Sequence, residues 1–326
     1  MGSIHSLGVV ALLGFTSVLH GKATGRTSYD LGTVNNGTLS ESVGPESRGD
    51  ATLRAQILLD RANFSSGQID GRYGKNLGSA IRAFQRSRQL PENGAIGPET
   101  WRILNQDTDP ALHPYTIAAE DVAGPFTKIP RRMAAKAKLP SSSFQSSLEL
   151  LAEKFHCAPA LLRDLNPDQR FDTAGATLLV PNVAHRALAL AASVVVSENE
   201  SGVSVLDAEG KLIAWFPASV GSSHDPLPVG SWKILGVRRD PIFHYNPRLF
   251  WDADSTDTRS TIPPGPNNPV GVVWIALSKP HYGLHGTPEP AHIGYTESHG
   301  CIRLTNWDAL KLASAVKPGT RAILQE

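Results

Sequence analysis

The apolar positions of this chain fall into patterns that change along its length. "LGVVALLGFTSVL", Leu7 to Leu19, is a continuous apolar run too short to span a bilayer comfortably. Small and polar residues, "HGKATG", follow it, and the stretch reads as the core of a secretory signal peptide over residues 1–24. It departs from that pattern in having His5 but no Lys or Arg ahead of the run. Gly, Ser, Thr and Asn then dominate, which predicts a flexible linker over 25–49. From Asp50 the spacing becomes helical. Leu53 and Ile57 share one face, Leu77, Ile81 and Phe84 share another, and "GPETW" places Pro98 in the first turn of a third helix. Asp50 is placed to cap the first helix, and Asp70-Gly71 suits a tight turn before the second. Leu58, Ile81, Phe84, Trp101 and Leu104 would form the core of an all-α three-helix domain over 50–106.

The next region, 111–183, mixes both patterns. "SLELLAEKFHCAPALLRDLNPD" predicts a helix, a break at Ala158-Pro159, a second helix and a stop at Asn166-Pro167, and "ATLLVPN" reads as a strand. From Leu188 the apolar runs have strand length and are broken by Gly, Asn and Asp. Only "NWDALKLASAV" has helical spacing, with Asn306 placed to cap it. The stretch 188–326 is therefore a mostly β domain with one helix near its end. A polar, Pro-rich stretch over 252–271 is placed to form a lid, the wall of a cleft, or plain surface.

Charge narrows the class of partner. With 31 basic and 30 acidic residues the net charge is +1, and no basic stripe marks a nucleic-acid surface. No stable membrane span is expected. Only two cysteines occur, Cys157 and Cys301. Cys157 lies between two apolar helices and reads as a buried free thiol. Export into an oxidising compartment would allow the two to pair, although a single bond across so much chain would be an unusual scaffold.

Cys301 lies in "SHGCIRL", downstream of "YGLHGTPEPAHIGYTE". A thiol attacks as its thiolate and needs a base or a cation nearby. His285, His299 and Arg303 all offer one. Packing, a disulfide, a zinc site with His285, His292 and His299, and a nucleophile are the four readings. No His-Glu-x-x-His spacing supports zinc in this Pro- and Gly-rich loop. The His-Gly pair followed by Ser-His-Gly-Cys-Ile-Arg favours the nucleophile. His285 would close a strand, with Gly286 permitting a sharp turn, and act as the base. Backbone N–H groups around Gly300 and Cys301 are natural oxyanion donors. His299 would organise the turn, Arg303 would hold a substrate carboxylate or the turn itself, and Ser298 and Tyr282 would support the site from behind.

Three resemblances bear on this reading. "IDGRYG", "AIRAFQ" and "GPETW" resemble, in order and spacing, the three-helix peptidoglycan-binding domain. The region 111–183 partly resembles a LysM module, which implies a small α+β unit binding N-acetylglucosamine polymers. "PLPVGSWKI", "YGLHGTPEP" and "SHGCIRLTNWDA" resemble the YkuD-type L,D-transpeptidase catalytic domain, with Arg303 where some members carry Asn. That resemblance implies a β-sandwich-like fold with one helix, a Cys301 nucleophile, His285 as proton donor and acceptor, and neither cofactor nor metal. It further implies an exported enzyme of the periplasm or cell wall. The enzyme would cut a peptidoglycan tetrapeptide stem after the L-centre of meso-diaminopimelate. A second stem or a protein lysine would then take up the acyl group. An L,D-carboxypeptidase or amidase using water, or a non-catalytic wall-binding protein, are the alternatives.

Overall fold

The computed structural model describes residues 2, 28–183 and 187–326, so the predicted signal segment lies, apart from Gly2, outside the described residues. The first unit comprises α1 (Leu31–Val34), α2 (Asp50–Arg61), α3 (Lys75–Ser87) and α4 (Pro98–Leu104). Leu58, Phe64, Leu77, Ile81, Phe84 and Trp101 share its core. Each such side chain taken from water contributes about 1.5–3 kcal/mol. Phe64 meets Phe84 edge to face at 5.4 Å. Pro98 opens α4, where its missing N–H costs nothing. Asp50 is not the cap of α2; Gly49 holds that position and Asp50 lies in the first turn, accepting from the Asp30 amide at 3.1 Å.

The predicted linker is not free over its described part. Val34 and Val43 have no exposure, and Val43 exchanges backbone hydrogen bonds with Ile96 at 3.1 and 2.7 Å. The Trp101 indole donates to the Glu41 carbonyl at 2.6 Å. Average polarity concealed this, because two well-placed valines and one indole N–H suffice to seat the strap on a preformed helical surface.

The second unit runs β1 (Leu112–Thr116), α5 (Ala119–Val122), α6 (Met133–Lys136), α7 (Ser147–Lys154), α8 (Pro159–Leu165) and β2 (Thr177–Pro181). The Ser146 hydroxyl caps α7, and Pro159 opens α8. β1 and β2 pair antiparallel, Leu112 opposite Pro181 and Thr116 opposite Thr177. Leu151, Phe155, Cys157, Leu162 and Val180 form a core that continues into Leu53, Ile57 and Ile69 of the first unit.

The third unit holds β3 (Ser193–Ser197), β4 (Gly202–Leu206), β5 (Leu212–Pro217), β6 (Gly230–Arg239), β7 (Phe243–Tyr245), β8 (Ser260–Ile262), β9 (Val273–Leu277), β10 (Gly283–His285), β11 (Ile302–Arg303), α9 (Asn306–Ala315) and β12 (Arg321–Gln325). Eight strands form one sheet in the order β11-β10-β9-β6-β12-β3-β4-β5, while β7 and β8 pair separately. β6 serves both halves of that sheet. Its start pairs with β12, its end with β9, and an irregularity at Ile234–Gly236 marks the changeover. Val196, Val203, Phe216, Ile275, Leu284, Ile302 and Leu312 from both halves and α9 meet in one core.

The units interlock. Ser65 donates to the Trp215 carbonyl at 3.0 Å, and Trp215 donates back to the Asn63 carbonyl at 2.9 Å. Asp60, His156 and Trp307, one from each unit, meet where His156 approaches Asp60 at 3.0 Å and stacks on Trp307 at 5.1 Å. No helix among the described residues is long and apolar enough to cross a membrane.

Candidate active site

β10 and β11 run parallel, with Leu284 opposite Ile302 and His285 opposite Arg303. Leu284 and Ile302 have no exposure and point into the core. Alternation along a strand therefore sends His285, Arg303 and, one step before β11, Cys301 to the other face of the sheet. The two residues singled out for chemistry share this face on adjacent strands. The S–H of Cys301 points to the His281 carbonyl at 3.6 Å.

The geometry assigns the histidine tautomer. His285 Nδ1 lies 2.7 Å from the Gly286 carbonyl oxygen, which can only accept. Nδ1 therefore carries the proton, and Nε2 keeps its lone pair. Trp274, opposite His285 across β9, stacks on the imidazole at 5.4 Å and 16° and holds the ring plane. Burial takes His285 down to about 4, and the Gly286 carbonyl partly opposes that shift. Burial pushes the Cys301 thiol up to about 11, opposed by the Gly283 amide and the Arg303 charge. At neutral pH both groups thus rest uncharged, one a thiol and the other a neutral imidazole.

The turn before Cys301 is fixed from several sides. Gly300 has φ +89°, and a Cβ there would sit 2.9 Å from the Tyr282 ring, so both conformation and space require glycine. The Ser298 hydroxyl donates to the Cys301 carbonyl at 2.6 Å, and its amide to the Gly221 carbonyl at 2.8 Å. Arg303 donates to the Glu297 carbonyl and the Thr296 hydroxyl, which ties its guanidinium to the turn. His299 is engaged elsewhere: its Nε2 meets Asp252 at 2.8 Å, and its ring packs on Phe250 and Trp251. His292 pairs instead with Glu289 at 3.4 Å, so the histidines weighed as zinc ligands turn to different partners. Cys157 and Cys301 are both free thiols.

The stretch 252–271 divides in two. Its start meets the catalytic turn through Asp252, and its end ties to the second unit, where Asn267 donates to Glu149 at 2.9 Å. Sequence reasoning missed Trp274, visible only as one more strand aromatic, and Gly283, whose amide serves the thiol. It also misassigned Asn306. Thr305 caps α9, its hydroxyl accepting from Asp308 at 3.1 Å, and the Asn306 side chain is left for other work.

Comparison with known proteins finds two family matches along the chain. Residues 191–324 match the L,D-transpeptidase catalytic domain, and residues 48–104 match the putative peptidoglycan binding domain. A Bacillus subtilis protein named putative L,D-transpeptidase YkuD is 29% identical over 186 residues, 55% of this chain and 93% of its own. A Fuscovulum blasticum protein, named as a putative L,D-transpeptidase, is 32% identical over 151 residues, covering 46% of this chain and 70% of its own. A solved L,D-transpeptidase from Xylanimonas cellulosilytica is 16% identical and covers 88% of this chain and 98% of its own, with a TM-score of 0.38.

Proposed function

We propose that this chain, which belongs to the L,D-transpeptidase family, acts on peptidoglycan through an acyl-enzyme formed on Cys301. The observation that supports this best is the shared sheet face of Cys301 and His285, with the imidazole lone pair on Nε2. His285 Nε2 takes the proton as the sulfur attacks the L-centre carbonyl of meso-diaminopimelate in a tetrapeptide stem. The backbone N–H groups of Gly300 and Cys301 receive the developing oxyanion. The tetrahedral intermediate collapses, the C–N bond breaks, and the imidazolium returns its proton to the departing D-alanine amine. An amine of a second stem then attacks the thioester and loses its proton through His285 as the sulfur leaves. The product is a 3→3 cross-link, or a wall-attached protein where a lysine is the acceptor.

A neutral resting pair suits this sequence, because charge separates only when substrate is present to receive the sulfur. Ser298, Tyr282 and Arg303 hold the turn, and His299 anchors the Asp252 loop as one wall of the cleft. The helical unit, and a pocket of about 300 Å³ in the second unit lined by Pro114, Asn166, Asp168 and Leu179, would keep the enzyme on its polymer. In this reading the protein is exported by its N-terminal segment and works in the periplasm or cell wall. Incubation with a disaccharide-tetrapeptide and a second stem tests it. Cross-linked dimer from wild type and none from Cys301→Ala is the expected result. Tripeptide without dimer would replace transfer by hydrolysis, and no product at all would overturn the reading.

A further inference from the structure

Glu153 belongs to the second unit but does not serve that unit's core. Its neighbours Leu151, Ala152 and Phe155 point into the apolar cluster, while its carboxylate crosses to the catalytic unit. There both oxygens accept from Asn306 Nδ2, at 3.1 and 3.2 Å. The same amide nitrogen donates to the Pro266 carbonyl at 3.1 Å. With acceptors gathered on one end, Asn306 is held with its Oδ1 turned the other way. That oxygen accepts from the Val272 amide at 3.2 Å. It also lies against the Gly271 and Gly286 backbones, so closely that a Cβ on Gly286 would stand 2.1 Å from it. Gly286 is the residue whose carbonyl fixes the His285 tautomer. Asn306 itself is 1% exposed.

We propose that Glu153 is a positioning residue for His285: by fixing the Asn306 amide it sets the Gly286 turn that aims the imidazole at Cys301. The second unit thereby completes the catalytic unit, which among the described residues supplies no carboxylate of its own to the Asn306 amide. Carrying a carboxylate into this junction has a cost. Burial raises Glu153 to about 7, more than the Asn306 hydrogen bond lowers it. A leucine of similar size would pack there without that cost, but would leave Asn306 free to turn over.

The inference rests on the proposed use of His285, and its test separates the two. In the full-length chain, Glu153→Ala should lower kcat about tenfold with KM for the tetrapeptide donor unchanged, as expected when a catalytic group is misplaced while donor binding stays intact. Glu153→Gln, whose amide oxygen still accepts from Asn306, should recover most of that activity. His156→Ala loosens the same junction without touching Asn306 and should keep wild-type kcat. Nitrogen-15 NMR of the His285 ring should show Nδ1–H in wild type and Glu153→Gln, and a mixture of tautomers in Glu153→Ala. Unchanged kcat and an unchanged tautomer in Glu153→Ala would overturn the inference. So would a fall in His156→Ala as large as in Glu153→Ala, since docking alone would then explain both. The tautomer readout does not require turnover. An inactive wild type would therefore count against the Cys301 mechanism while the role of Glu153 was still decided.

Discussion

The two cysteines of this chain are alike in composition and opposite in setting. Cys157 lies in the turn between α7 and α8 with no exposure, its amide bonded to the Ala152 carbonyl at 2.8 Å. Burial is the sole influence on its thiol and drives ionisation far out of reach. Burial also opposes ionisation of Cys301, but a backbone amide and a guanidinium act against it there. The neighbouring strand adds an imidazole lone pair on the same face. The comparison teaches that a shifted thiol alone does not mark a nucleophile. What distinguishes Cys301 is the polar groups around it, which in the proposed mechanism would receive a proton and a negative charge when a substrate arrives.

The largest expected effect is at the sulfur. Cys301→Ser should lower acyl transfer by about 1,000-fold or more, and Cys157→Ser should leave kcat unchanged; steady-state assays of both would break the comparison if the results were exchanged. His285→Gln should cost about 100-fold or more in kcat, because the proton loses its acceptor while Cys301 stays in place. Gly286→Ala should cost about tenfold or more, since its Cβ would meet the Asn306 oxygen and displace the turn; a crystal structure of the variant should show the His285 ring moved.

Alkylation against pH sharpens the contrast. With the Cys301 thiol raised to about 11, its rate should climb about tenfold per unit from pH 7 to 10 without a plateau, because the thiolate fraction grows with each proton lost. A plateau near neutrality would mean a thiolate–imidazolium pair at rest. Cys157 should not react until the protein unfolds. Smallest in effect, Cys157→Ser should destabilise the chain by about 1–3 kcal/mol in chemical denaturation, by burying a hydroxyl in an apolar core, with no change in KM.

Much of this was legible in the sequence where local rules govern. The helical spacing of Leu77, Ile81 and Phe84, the breaks at Pro159 and Pro167, and the strand-length runs after Leu188 depend on neighbours in the chain. That the His285 and Cys301 segments would lie side by side was legible because the glycines and the short loop between them are written close together, and β10 and β11 do pair. What failed depended on partners distant in sequence. The strap before Asp50 looked unstructured because its partners Ile96 and Trp101 lie far downstream. Asn306 looked like a helix cap because its partner Glu153 belongs to another unit, and Thr305 beside it takes the capping role. Trp274 gave no local sign that its ring would face His285, because only the β9–β10 register brings them together.

The central claim is that Cys301, and not Cys157, carries the acyl group. It is tested most directly by trapping the protein with a tetrapeptide donor in the absence of acceptor and mapping the adduct by peptide mass. The account predicts a thioester on the peptide containing Cys301, with Cys157 unmodified and the adduct missing from Cys301→Ala. An adduct on Cys157, or one that survives in Cys301→Ala, would contradict it.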